Sequence, residues 1–312
     1  MNSISQICLY YKLQIIIILK VSAIFSDYDG TLVPARVGNS TANTIPSELE
    51  KELWNLSYDI PVCIISSKDY YFLKDKAKFS KILSCIRGIE IINKTITKEN
   101  ECSANDVKRI KGSSIMDCRL LVDKATLKNS SVFLEQIHQQ ICKNYRDLEI
   151  ELKCTLSENK ILCGITMDGR NLDDWTVFSN YKNKMVNEIY SFKKEQNMTE
   201  DELVIQTYKN HPFIDLYACP CSKAIAYDSI ANMLQFTNDD KVLYLGDSEN
   251  DNSAFKKADI SIGIRSDDRI KTALECKHYL RYENLALFLN RLASNNFNFD
   301  EGLLNFDEGG GR

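Results

Sequence analysis

Histidine is scarce: His138, His211 and His278 lie far apart in a chain of 312 residues. That spacing excludes a histidine-built metal centre, whose ligands come from close clusters. No Cys-x-x-Cys pair occurs among the 11 cysteines, and Cys219 and Cys221 flank a single proline, too cramped for a zinc loop. They read instead as free, mostly buried thiols of a protein in the reducing cytoplasm. Basic charge is not in excess: 39 Lys and Arg stand against 43 Asp and Glu, a net charge of -4. A nucleic-acid partner requires the opposite balance or a basic patch. A membrane span is missing too, because Lys20 interrupts the apolar run of residues 13–19 well short of the about 20 residues needed. No small-residue cleavage site follows, so residues 1–20 read as an N-terminal extension and not as a signal peptide. There is no internal repeat. What is present is an ordinary globular mix, 44% hydrophobic and 26% charged, too apolar for disorder.

The apolar pattern divides the chain. Residues 21–25 and 60–65 predict buried strands, each ending in a polar turn, with a helix over 46–56 between them. Strand, helix and strand in that order predict a parallel sheet with crossover helices. The rhythm changes near Gly88. Strand-like pieces over 89–96 and 119–122 precede a helix over 131–145, a hairpin over 148–155 and 161–167, a helix over 173–194 and strands over 203–208 and 212–218. The α/β rhythm then returns, with helices over 222–234, 253–258 and 283–292 and strands over 241–245 and 259–264. The expectation is an α/β core of residues 21–87 and 211–292, with a parallel sheet and helices on both faces. An α+β domain of residues 88–210 is inserted into it, and the tail over 293–312 reads as disordered.

Four polar clusters follow predicted core elements, where open parallel sheets bind ligands. In FSDYDGTLVP, Asp27 and Asp29 are two apart on an extended segment and point the same way. One carboxylate can attack phosphorus while the other protonates a leaving oxygen; an acidic turn after a strand is the plain alternative. In IISSKD, Ser66 reads either as a phosphoryl-binding hydroxyl or as a helix cap. Lys223 in CPCSKAIA opens a helix, against the usual dipole preference; it either neutralises phosphate charge or lies on the surface. In LGDSENDNSAF, Asp247 and Asp251 offer oxygens for a hard cation such as Mg2+, or form a solvated turn.

Taken in that order, the four clusters resemble the haloacid dehalogenase superfamily over residues 21–290. The resemblance implies that Asp27 is the nucleophile and Asp29 the general acid/base, with Ser66 and Lys223 holding the phosphoryl group. It implies Mg2+ at Asp27, Asp247 and the Asp29 carbonyl, with Asp251 acting directly or through water. The position and α+β make-up of the insertion resemble a type IIB cap. DYDGTLVP and the Glu151-Leu-Lys153 element are similar to those of trehalose-6-phosphate phosphatases, and Glu151 and Lys153 would then contact the sugar. Arg87-Gly88 stands where that group often carries His-Gly, Asp215 stands near its Glu, and GDSENDNSAF is closer to the sucrose-phosphatase form. The expectation is an Mg2+-dependent sugar-phosphate phosphatase acting through an aspartyl-phosphate, such as on trehalose 6-phosphate. The alternatives are a phosphomutase, a sucrose-phosphate or mannosyl-3-phosphoglycerate type of phosphatase, or a non-catalytic protein on the same fold. Glu151 and Lys153, two apart on a strand, are expected on one exposed face, with Leu152 and Cys154 packed behind.

Overall fold

The computed structural model describes residues 19–34, 44–97, 112–146, 148–156, 160–169, 175–199, 201–208, 212–266 and 273–306. Most of the N-terminal extension (1–18), residues 157–159 and 209–211 of the insertion (with His211) and the end of the tail from 307 lie outside these residues.

The core is a sheet whose middle is parallel. Strands β1 (Leu19–Ser26), β2 (Val62–Ile65), β3 (Ile82–Cys85), β10 (Lys241–Gly246), β11 (Ile260–Arg265) and β12 (His278–Arg281) run in the order β12-β11-β10-β1-β2-β3. All but the edge strand β12 are largely buried on both faces, which explains their apolar runs. Alternation sorts the side chains. Ile24, Val62, Ile64, Leu243 and Leu245 pack with α1 (Ser47–Ser57) and α7 (Leu285–Ser294). Ala23, Phe25, Cys63, Ile65 and Tyr244 pack with α5 (Lys223–Met233) and α6 (Asn252–Phe255) on the other side. The strand order turns back between β1 and β10, so the crevice past their carboxyl ends is the natural ligand site.

The insertion differs from the expected one. β4 (Glu90–Thr97) and β5 (Gly112–Leu120) pair antiparallel beyond β3 and so extend the core sheet. The second sheet is β6 (Glu149–Cys154), β7 (Leu162–Asp168), β9 (Phe213–Tyr217) and β8 (Val204–Thr207), in that order and antiparallel. Residues 90–120 thus leave the inserted unit and β9 joins it. The helix expected at 131 starts earlier, as α3 (Lys124–Asn144), because the Asp123 carboxylate caps it by accepting the Thr126 N–H at 3.0 Å. α3 and α4 (Trp175–Glu195) cover one face of this sheet, burying Ile165, Met167, Ile214 and Leu216. Its other face is polar. Register puts Glu151, Thr166 and Asp215 in one row and Lys153, Gly164 and Tyr217 in the next.

The tail is ordered to residue 306, against expectation. β13 (Asn298–Phe299) pairs antiparallel with Leu19 and Lys20, so these two residues of the presumed extension belong to β1. Phe299 is buried against Phe288, which anchors the tail. The described cysteines, Cys219 and Cys221 among them, are free thiols. No described helix is long and apolar enough to cross a membrane.

Candidate active site

Three of the four clusters meet past the carboxyl ends of β1 and β10. Asp27 follows β1 and is 6% exposed. Its Oδ1 lies 3.0 Å from Lys223 Nζ. Lys223 is buried at the first turn of α5, which Ser222 caps by accepting the Ile225 N–H at 3.2 Å. The sequence puzzle of a lysine at a helix N-terminus resolves here: its ammonium sits between two carboxylates, Asp27 and Asp251, the latter at 2.7 Å. Burial alone would lower the Lys223 ammonium, but Asp251 and Asp27 outweigh it and hold it above its ordinary value.

Asp251 is fully buried and saturated with donors. Its Oδ1 accepts from Lys223 and from the Tyr244 hydroxyl at 2.7 Å. Its Oδ2 accepts from the Asp247 N–H at 3.2 Å and from the Ser248 N–H and hydroxyl at 3.1 Å. It therefore fastens the loop after β10 to α5. Gly246 makes room for it, since a Cβ there would lie 2.4 Å from the Asp251 Cγ. Asp247 accepts from the Thr31 hydroxyl at 3.0 Å. Gly30, at φ 83°, passes so close that a Cβ would stand 2.0 Å from the Asp247 Oδ2. The glycine of the Asp-Gly-Thr sequence is thus required by both its backbone and its neighbour.

Asp27, Asp247 and Asp251 present oxygens within 4.8 Å of one another. Burial pushes the Asp27 carboxyl up to about 7; Lys223 opposes this, and Asp251 and Asp29 add to it. Burial and the neighbouring carboxylates also push Asp247 well above the usual range. Crowded, buried, all-oxygen carboxylates of this kind fit a hard divalent cation, which would return them to the ionised form. Asp27 and Asp247 are the better ligands, because the Asp251 oxygens are already engaged.

Ser66, the fourth cluster, ends β2 as a buried residue. Its hydroxyl accepts the Lys68 N–H at 3.1 Å, and its carbonyl accepts the Arg87 N–H at 2.8 Å. The Asp29 side chain is 43% exposed, whereas Asp27 and Asp251 are buried and Asp247 is half-buried. Lys68, which the sequence did not single out, lies 3.9 Å from Asp29 and 2.5 Å from Glu151. It links the core loop to the polar face of the second sheet. The Asp69 carboxylate makes a second link by accepting the Cys154 N–H at 3.1 Å.

That polar face is not open to solvent as expected. Glu151 is part-buried, and Lys153 is 1% exposed, 3.5 Å from Asp215. Asp215 also accepts from the Tyr208 hydroxyl at 2.7 Å and from the Thr166 hydroxyl. Burial opposes its charge, but Lys153 and these hydroxyls hold it below the usual carboxylate range. Leu152, expected to be packed, is 41% exposed, while Cys154 does pack against the apolar cluster. Glu151 meets Lys68 of the core, and Lys153 is buried within the sheet's polar face.

The family model of haloacid dehalogenase-like hydrolases matches residues 24–276. No curated protein sequence matches the chain. Among solved structures, a trehalose-6-phosphate phosphatase related protein superposes with TM-score 0.58 at 16% identity, covering 88% of this chain and 98% of that one. The C-terminal domain of C. albicans trehalose-6-phosphate phosphatase gives TM-score 0.60 at 16% identity, covering 88% and 93%. Aspergillus fumigatus trehalose-6-phosphate phosphatase gives 0.51 at 18%, covering 88% and 94%.

Proposed function

We propose, from the premise that the chain belongs to the haloacid dehalogenase-like hydrolases, that it is a Mg2+-dependent phosphatase of a sugar phosphate monoester, working through an aspartyl-phosphate at Asp27. The observation that carries this is the convergence of Asp27, Lys223 and Asp247 at the β1/β10 crevice, beneath a sheet face lined by Glu151, Lys153 and Asp215. Trehalose 6-phosphate is the leading candidate substrate, by the likeness of the motifs and of the solved structures.

In this reading an Asp27 oxygen attacks phosphorus in line, and the phosphorus–oxygen bond to the sugar breaks. Asp29 gives its proton to the departing sugar oxygen, then takes one from the water that cleaves the aspartyl-phosphate. Its exposure suits a group that must touch both leaving group and water. Lys223 and Ser66 would hold the transferring oxygens, and Lys223 keeps the Asp27 carboxylate oriented. Mg2+, held by Asp27, Asp247 and the Asp29 carbonyl, would neutralise charge as the carboxylate and phosphate approach. The second sheet excludes water and reads the sugar.

The test is phosphate release from a panel of sugar phosphates and p-nitrophenyl phosphate, with Mg2+ and with EDTA. Turnover is expected only with Mg2+ and should return when it is restored; full activity in EDTA would exclude the metal site. A second result separates the sugar contacts from the chemistry. Glu151→Ala should lower kcat/KM on the preferred sugar phosphate at least roughly tenfold, the scale of one hydrogen bond to a charged group. p-Nitrophenyl phosphate, too small to need the second sheet, should be little affected. The Lys68–Glu151 pair is partly exposed, so little stability should be lost. Equal loss on both substrates would mean that Glu151 acts on the chemistry and not on the sugar.

A further inference from the structure

Three successive residues at the end of β3 take left-handed backbone conformations: Ile86 at φ 50°, Arg87 at φ 55° and Gly88 at φ 98°. A β-branched residue there is an outlier, and such strain persists only where the surroundings hold it in place. The turn is fixed from several sides. The Ile86 N–H donates to the Lys68 carbonyl at 2.9 Å and the Arg87 N–H to the Ser66 carbonyl at 2.8 Å. Gly88 lies against α5, where a Cβ would come within 3.1 Å of the Ala226 Cβ. What this strained turn delivers is the Arg87 side chain.

That side chain is 5% exposed, yet its Nε and Nη1 have no hydrogen-bond partner among the described residues. Its guanidinium carbon is 5.4 Å from the centre of the Tyr217 ring, and Lys153 Nζ is also 5.4 Å from that ring. Two cations therefore meet on the polar face of the second sheet. Asp215 lies in the same face, but its oxygens are engaged by Lys153, Thr166 and Tyr208. Glu151 is taken by Lys68. Among the described residues one positive charge is left over, on a buried group with unmet donors. An unmet buried donor is costly, and a buried charge without a partner more so. A sugar hydroxyl could accept the N–H groups but would leave the charge standing. An anion answers both, and the guanidinium fork matches a carboxylate or phosphate.

Arg87 is hydrogen-bonded through its backbone to Ser66, on the rim of the crevice, and reaches toward the second sheet. The leaving group of a monoester held at Asp27 would extend in the same direction. We infer that Arg87, with Lys153 beside it, receives a second anionic group on the leaving group. The substrate class is then an acidic sugar phosphate, one that carries a carboxylate or a further phosphate besides the phosphoryl group that is cleaved. This rests on the phosphatase reading but moves its substrate away from trehalose 6-phosphate, which has no second anionic group.

The experiment compares kcat/KM within matched pairs, with p-nitrophenyl phosphate as the reference for chemistry. 6-Phosphogluconate against glucose 6-phosphate tests a carboxylate, and fructose 1,6-bisphosphate against fructose 6-phosphate tests a second phosphate. The wild-type chain is expected to prefer the acidic member of at least one pair by about 10- to 100-fold, the range of a charge-assisted contact. Arg87→Met should erase the preference while leaving p-nitrophenyl phosphate within about threefold, and Arg87→Lys should keep part of it. Because the preference is read on the wild type, a misfolded Arg87→Met does not decide the matter. Equal kcat/KM within both pairs, including no turnover of any of the four while p-nitrophenyl phosphate is cleaved, overturns the inference. So does a loss on p-nitrophenyl phosphate as large as on the acidic sugars, which would assign Arg87 to the scissile phosphate. No turnover of p-nitrophenyl phosphate by the wild type removes the phosphatase reading itself, and this inference with it.

Discussion

Asp27→Asn is expected to lower turnover by at least about 10⁴-fold on every phosphate ester, because an amide cannot form the acyl phosphate. The fold should survive. Lys223 keeps Asp251 as a partner at 2.7 Å, and Asn occupies the same space. Stability at neutral pH should hold or rise, for a reason that can be signed. Asp27 is raised from 3.8 to about 7 in the folded chain, first by burial. The folded state therefore binds this proton more tightly than the unfolded one, and its contribution to stability declines as pH climbs from about 4 to about 7. Asn carries no such loss. A thermal scan at pH 7.5 without metal, paired with a turnover assay, should show an inactive protein with an unchanged or higher Tm. An inactive protein with a much lower Tm would mean that Asp27 serves the fold first.

The opposite pattern is expected of Lys223→Met. This change leaves Asp27 and Asp251 buried side by side with no cation between them. Breaking a buried charge network from one side costs about 3–5 kcal/mol. Tm should fall by roughly 10 °C, and turnover should be lost as well. Lys223 is held above its ordinary value once Asp251 and Asp27 outweigh burial, so its stabilisation is complete below the unfolded lysine value of about 10.4. It is lost only as pH rises through the higher folded value. The wild type should therefore lose this contribution in strong alkali, and the variant should lack that alkaline step. A Tm unchanged by Lys223→Met would show that the ammonium is not what balances the two carboxylates.

The contrast between these variants reflects what was legible in the sequence. Asp27, Asp29, Asp247 and Asp251 stand out because they cluster in the turns that follow two apolar strands, a signal carried by neighbouring residues. Ser222 before Lys223 is a local capping signal too. Lys68 gave no comparable sign, and Arg87 stood out only by its departure from a family pattern. Lys68 matters only because the second sheet brings Glu151 to within 2.5 Å of it. Arg87 matters because β3, a four-residue run too short to stand out, ends in a turn that aims it at Tyr217. The Lys153–Asp215 pair is set by the register of β6, β7 and β9, which sequence spacing does not encode. The same blindness to pairing explains the sheet assignments. β4 and β5 differ in composition from β1 and β2, yet they extend the same sheet, antiparallel at its edge. The Asn-rich tail looks solvated until β13 finds the start of β1 and Phe299 finds Phe288.

The central claim is that Asp27 carries the phosphoryl group, and one measurement reaches it directly. The chain is mixed with Mg2+ and a rapidly cleaved ester, quenched in acid during the first turnover, reduced with borohydride, and digested for mass spectrometry. Borohydride reduces an aspartyl-phosphate to homoserine and leaves free carboxylates untouched. Homoserine is expected at position 27, appearing only when substrate was present and absent from Asp27→Asn. Homoserine at Asp29, Asp247 or any other carboxylate, with position 27 unmodified, would contradict it.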